Sequence, residues 1–130
     1  MVASNKSWIR LCELDQVPAD HCINVYVNGQ RLVIARCEDS AHVLQGYCSH
    51  MLFYLKDAKI DGCVVTCNLH GSQFDVRDGS VVRWTEAASG KVLEDIKEKK
   101  RLRSYETEVR DGIVFLAWAT SDPDKVKVKF

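Results

Sequence analysis

Two short ligand sets constrain this chain more than anything else in it: Cys48-Ser49-His50 and, after sixteen intervening residues, Cys67-Asn68-Leu69-His70. Each set pairs one sulfur with one imidazole. A structural zinc site usually reads as a Cys pair followed later by a His pair, so that each loop presents one kind of ligand. Here both loops carry both kinds. That order suits a two-iron cluster clamped between two fingers, each loop giving its Cys to one iron and its His to the other. The reading from the ligands alone is therefore electron transfer, with a zinc-binding interaction module as the alternative.

From Tyr47 to Gly79 the chain resembles a Rieske-type ferredoxin, whose motif is Cys-x-His, a spacer of about this length, and Cys-x-x-His. Leu55, the Ile60-Asp61-Gly62 turn, Val64-Val65-Thr66 ahead of Cys67, and the exit from His70-Gly71 to Phe74-Asp75 also resemble the family's text. The resemblance implies a [2Fe-2S] cluster held by Cys48, His50, Cys67 and His70. It also implies the ferredoxin component of a ring-hydroxylating oxygenase system, taking electrons from a flavoprotein reductase and handing them to a terminal oxygenase. An electron-transfer subunit of another oxidoreductase is the alternative role. Family members commonly show glycine and proline where this chain has Leu52 and Tyr54, and proline in place of Asn68.

The 130 residues read as one Rieske domain, with a cluster-binding region over 46–79 and a tail over 119–130. A terminal oxygenase would need a second iron held by two His and a carboxylate. The remaining histidines, His21 and His42, both precede the motif, so the expected role is carrier and not enzyme. Eighteen charges of each sign supply no basic excess for nucleic acid. The run Lys97, Lys99, Lys100, Arg101 and Arg103 reads as a solvated face. The sequence shows no apolar stretch of membrane-spanning length and no secretory pattern at the N-terminus, so a cytoplasmic protein is expected.

Cys12, Cys22, Cys37 and Cys63 remain beyond the two ligand cysteines, and the expectation is buried thiols packing as small hydrophobes. The resemblance places the loop-to-loop disulfide of respiratory Rieske proteins at Phe53 and Leu69, neither of which can form it. That absence points to the ferredoxin branch, in a reducing interior.

The pattern predicts an all-β fold: an antiparallel sandwich or barrel base carrying a two-loop cluster-binding subdomain. Trp8 to Cys12 reads as a first strand and Pro18-Ala19-Asp20 as a turn. Cys22 to Val27 and Arg31 to Arg36 flank Asn28-Gly29, a strong two-residue hairpin signal. Glu38-Asp39-Ser40 turns into a strand over Ala41 to Leu44, which delivers the first loop. Val64 to Thr66 delivers the second, and Gln73 to Val76 leaves it. Asp78-Gly79 turns the chain into Val81 to Trp84. Leu102 to Arg110 and Ile113 to Trp118 form a last hairpin around Asp111-Gly112, and Val126 and Val128 suit an added edge strand. The segment 85–100 reads as an insertion, with a short helix after Gly90. Trp8, Trp84 and Trp118 read as core or strand-face aromatics.

Two imidazoles in place of two thiolates remove negative charge from around the irons, so an electron is accepted at a higher potential, in a family range of roughly −150 to +300 mV. In high-potential members a serine matches Ser72 and a tyrosine matches Phe74, so this chain keeps one of two hydroxyls; an intermediate potential is expected, with Ser72 contributing if it faces inward. Metal at one ring nitrogen of His50 and His70 acidifies the N–H at the other, which predicts a potential that falls in alkaline buffer. The run Met51-Leu52-Phe53-Tyr54 beside the site reads either as a cap on cluster and core or as part of a docking face.

Overall fold

The computed structural model describes residues 6–48, 54–68, 71–83 and 101–130. Within them are twelve strands: β1 (Lys6–Glu13), β2 (Ile23–Val27), β3 (Gln30–Cys37), β4 (Ser40–Gln45), β5 (Lys59–Asp61), β6 (Val64–Thr66), β7 (Gln73–Asp75), β8 (Val81–Arg83), β9 (Ser104–Tyr105), β10 (Thr107–Arg110), β11 (Ile113–Ala119) and β12 (Val128–Lys129). They form three antiparallel sheets, ordered β1-β11-β10, β12-β2-β3-β4-β9 and β5-β6-β7-β8. The predicted all-β architecture is what the described residues adopt.

The middle sheet explains the sequence of β3. Leu32, Val33, Ile34 and Ala35 are all buried, where a strand with one wet face would alternate. Leu32 and Ile34 project into a base core with Val25, Val43, Val114 and Leu116. Val33, Ala35 and Cys37 project the other way, into an upper core with Leu55, Ile60, Val65, Phe74 and Leu102. β4 divides likewise, giving Ala41 and Val43 to the base and Leu44 to the upper core. One sheet thus serves two cores, and the four-stranded sheet that leads to Cys67 rests on its upper face.

Hairpin chemistry sets the registers. Asn28 and Gly29 both hold positive φ (51° and 82°), as do Asp111 and Gly112 (52° and 74°), the left-handed pair that a type I′ turn needs to follow strand twist. Val27 accordingly faces Gln30, and Arg110 faces Ile113.

Three expectations are corrected. The segment Leu102 to Arg110 is not one strand: Tyr105 and Ser104 pair with Val43 and Leu44 of the middle sheet, whereas Thr107 to Arg110 pairs with β11. The chain switches sheets at Glu106, whose carbonyl accepts from the amide of Ala117. Ile60 and Asp61 lie in β5, and the turn falls at Gly62-Cys63. Lastly, Cys37 and Cys63 are joined in a disulfide with Cα atoms 4.9 Å apart, so they are not free thiols. Cys12 and Cys22 are buried thiols as expected. The β12 edge strand forms against β2, while the 85–100 insertion, its helix and Trp84 lie outside the described residues. Trp8 is 39% exposed on a strand face, and Trp118 stacks on Tyr105 with ring centroids 6.1 Å apart.

Candidate metal centre

Cys48 follows β4 and Cys67 follows β6, strands of two different sheets. The packing of those sheets sets both cysteines in the upper core, 1% and 2% exposed.

β4 leads into the first loop through Gly46. Its amide donates to the carbonyl of Arg31 (3.1 Å), and its carbonyl accepts from the amide of Leu55 (3.1 Å). Tyr47 and Tyr54 pair as an antiparallel bridge, so the two ends of this loop are tied together. β6 leads into the second loop. The Cys67 amide donates to the Ser72 carbonyl (2.8 Å), and the Gly71 amide donates to the Cys67 carbonyl (3.1 Å), closing the backbone around the motif. The Asn68 side-chain amide donates to the Lys56 carbonyl (3.0 Å), joining the second loop to the exit of the first. Arg83 clamps the outer side by donating from Nη2 to the Gly71 carbonyl (3.0 Å).

Beneath the loops the core is apolar. Phe74, Leu55, Val65 and Val76 are fully buried, and Ser72 is the one buried polar residue among those described, at 0% exposure. Tyr54 points outward, 58% exposed, with the Arg31 guanidinium 4.3 Å from its ring centroid. Of the apolar run, Tyr54 lies at the surface and Met51, Leu52 and Phe53 lie outside the described residues, while the next residue, Leu55, is buried in the core. His50 and His70 also lie outside the described residues. Of the predicted ligands, the fold brings Cys48 and Cys67 into one apolar core at the heads of two loops. Two cysteines placed in this way fit the inner half of a sulfur-and-imidazole donor set.

Among the described residues, neither of the other histidines falls in a group of three or more side chains able to hold a metal. His21 pairs with Asp20 (2.7 Å) at the surface. His42 lies on β4, where burial pushes its pKa below the usual value, opposed by Asp75. Asp75 is held below the ordinary carboxylate range by hydrogen bonds from Arg77, the shortest at 2.7 Å. Burial pushes the Cys22 thiol up to about 11, and its sulfur donates to the Leu55 carbonyl (3.2 Å). The contributions of Asn68, Arg83 and the Cys37–Cys63 bond are not legible in the sequence, because each joins segments that only the fold places side by side.

The Rieske [2Fe-2S] domain model matches residues 7–106. The biphenyl dioxygenase ferredoxin subunit of Pseudomonas sp. (strain KKS102) is 30% identical over 76 residues, 58% of this chain and 70% of the relative. The ferredoxin component of the naphthalene 1,2-dioxygenase/salicylate 5-hydroxylase systems of Ralstonia sp is 27% identical over 77 residues, 59% of this chain and 74% of the relative. A solved chain from the complex of reduced oxygenase and oxidized ferredoxin in carbazole 1,9a-dioxygenase is 25% identical, with a TM-score of 0.64, covering 85% of this chain and 92% of its own. No helix among the described residues is long and apolar enough to cross a membrane. On the family match and the site beneath it, this chain belongs to the Rieske [2Fe-2S] domain family, and both of these relatives are named as ferredoxin components of dioxygenase systems.

Proposed function

We propose that Cys48, His50, Cys67 and His70 hold the [2Fe-2S] cluster, and that the protein carries single electrons from a flavoprotein reductase to a terminal oxygenase in the cytoplasm. The observation that carries this reading is the burial of Cys48 and Cys67 in one apolar core, each at the head of a loop closed by backbone hydrogen bonds. When bound, the cluster supplies a one-electron couple whose potential lies above that of all-cysteine clusters. The chain's own residues do the rest. Cys48 and Cys67 are kept from water by Leu55, Phe74 and Val76, while Asn68 and Arg83 fix the loops that bear the two histidines. The oxygenase partner is supported by the likeness to ferredoxin components of dioxygenase systems, one of them in a solved complex with its oxygenase.

Iron and acid-labile sulfide analysis of anaerobically purified protein, with electron paramagnetic resonance of the reduced form, tests the ligand set. Two irons and two sulfides per chain with a rhombic signal are expected. His50→Ala and His70→Ala should each abolish that signal; its survival in both would refute the assignment.

A further inference from the structure

We infer that Cys37 and Cys63 form a reversible disulfide clasp whose oxidation state sets how firmly the metal-ligand loops are held. The inference rests on the ligand assignment above and adds a second redox site to it. The bond joins the end of β3 to the turn between β5 and β6, with a sequence separation of 26. The ring it closes contains β4 and the whole first loop, including Cys48 and His50, and it ends four residues before Cys67.

Its position gives the bond leverage. Cys37 is 4% exposed on the upper face of β3, and Cys63 packs partly buried against the same core. Cys63 lies in the turn between β5 and β6, three-residue strands at one edge of the four-stranded sheet, where β6 also pairs with β7 over Val64 to Thr66. Elsewhere this hairpin is tied by one antiparallel bridge at His21 and Lys59, made by the Cys22 amide to the Ala58 carbonyl (3.0 Å) and the Ile60 amide to the Asp20 carbonyl (2.8 Å). With the clasp open, the strand that delivers Cys67 keeps its pairing with β5 and β7 and the packing of Ile60 and Val65, but its sheet has no covalent anchor to the middle sheet.

A compartment that keeps thiols reduced makes such a bond transient and regulatable. Opening follows thiol–disulfide exchange: a thiol of a dithiol reductant attacks the sulfur of Cys63, the more accessible of the pair, and Cys37 leaves as the thiolate and takes up a proton. The reductant's second thiol then displaces Cys63 from the mixed disulfide. The protein gains two electrons and two protons, and the reductant becomes a disulfide. Exchange with a low-molecular-weight disulfide closes the clasp by the reverse steps.

The test uses the metal-loaded protein, poised anaerobically with glutathione disulfide or with dithiothreitol. N-ethylmaleimide labelling after transfer to urea, with peptide mapping, should leave Cys37 and Cys63 unmodified in the first poise and modified in the second. Iron release to a chelator should be roughly fivefold faster or more with the clasp open. The Cys37→Ser/Cys63→Ser double variant should release iron at the fast rate in both poises, which separates the clasp from any direct action of dithiothreitol on the metal. Labelling of both cysteines in the oxidised poise, of neither in the reduced poise, or wild-type release rates within twofold of each other, would overturn the inference. Protein purified without iron would remove the retention claim together with the ligand assignment, while labelling, which needs no metal, would still decide whether the bond forms.

Discussion

Gly79 and Gly112 hold nearly the same backbone conformation, φ +78° and +74°, but only Gly79 is crowded. A Cβ at Gly112 meets nothing within 4 Å, whereas one at Gly79 would overlap the carbonyl of Leu102, whose amide donates to the Gly79 carbonyl (2.8 Å). Gly112→Ala should therefore cost only the left-handed penalty, about 1 kcal/mol. Gly79→Ala adds the loss of the Leu102 hydrogen bond, about 1 kcal/mol, and partial withdrawal of the fully buried Leu102 from the upper core, about 1–2 kcal/mol. The total is about 3–4 kcal/mol. For a chain of this length each kcal/mol moves Tm by about 4 °C, so thermal unfolding followed by circular dichroism should drop by about 4 °C for Gly112→Ala and by about 12–16 °C for Gly79→Ala. Equal losses in the two variants would refute the argument, because the shared φ would then account for everything and the contact with Leu102 for nothing.

Three further outcomes are expected. Ser72→Ala should lower the reduction potential by about 20–60 mV, the one-electron equivalent of one hydrogen bond, as read by voltammetry; an unchanged potential would assign Ser72 to the loop backbone instead. Asp75→Asn should destabilise the protein at neutral pH by about 0.5–1 kcal/mol, a value discounted because Arg77 is largely exposed. Since the folded pKa of Asp75 is depressed, its contribution is present above the ordinary carboxylate range and is lost as pH falls through the folded value, so urea melts of wild type and variant should converge in acid. Cys22, with its thiol pushed up to about 11, should resist iodoacetamide at about pH 8 in the folded protein and react once the chain is unfolded in urea.

The hairpin turns, the all-β pattern and the motif behind the proposed ligand sets are legible because each is local. Asn28-Gly29 specifies its turn through two adjacent backbones, and the Cys-x-His and Cys-x-x-His spacings specify a donor set without reference to the rest of the chain. The continuous burial of Leu32 to Ala35 is legible as an apolar run, but which residue serves which core is not, since that depends on two other sheets packing on opposite faces. The switch at Glu106 is hidden for the same reason: its strand-like sequence continues on both sides while its pairing partners change. Cys37 and Cys63 show the limit most plainly. Nothing in either residue's neighbourhood distinguishes a buried thiol from half of a disulfide, because bonding depends on a 4.9 Å approach between the end of one sheet and a turn of another. Short-range chemistry wrote the turns and the proposed donor set into the sequence; the layering of three sheets decided which side chains meet, because contacts between distant segments exist only once the chain has folded.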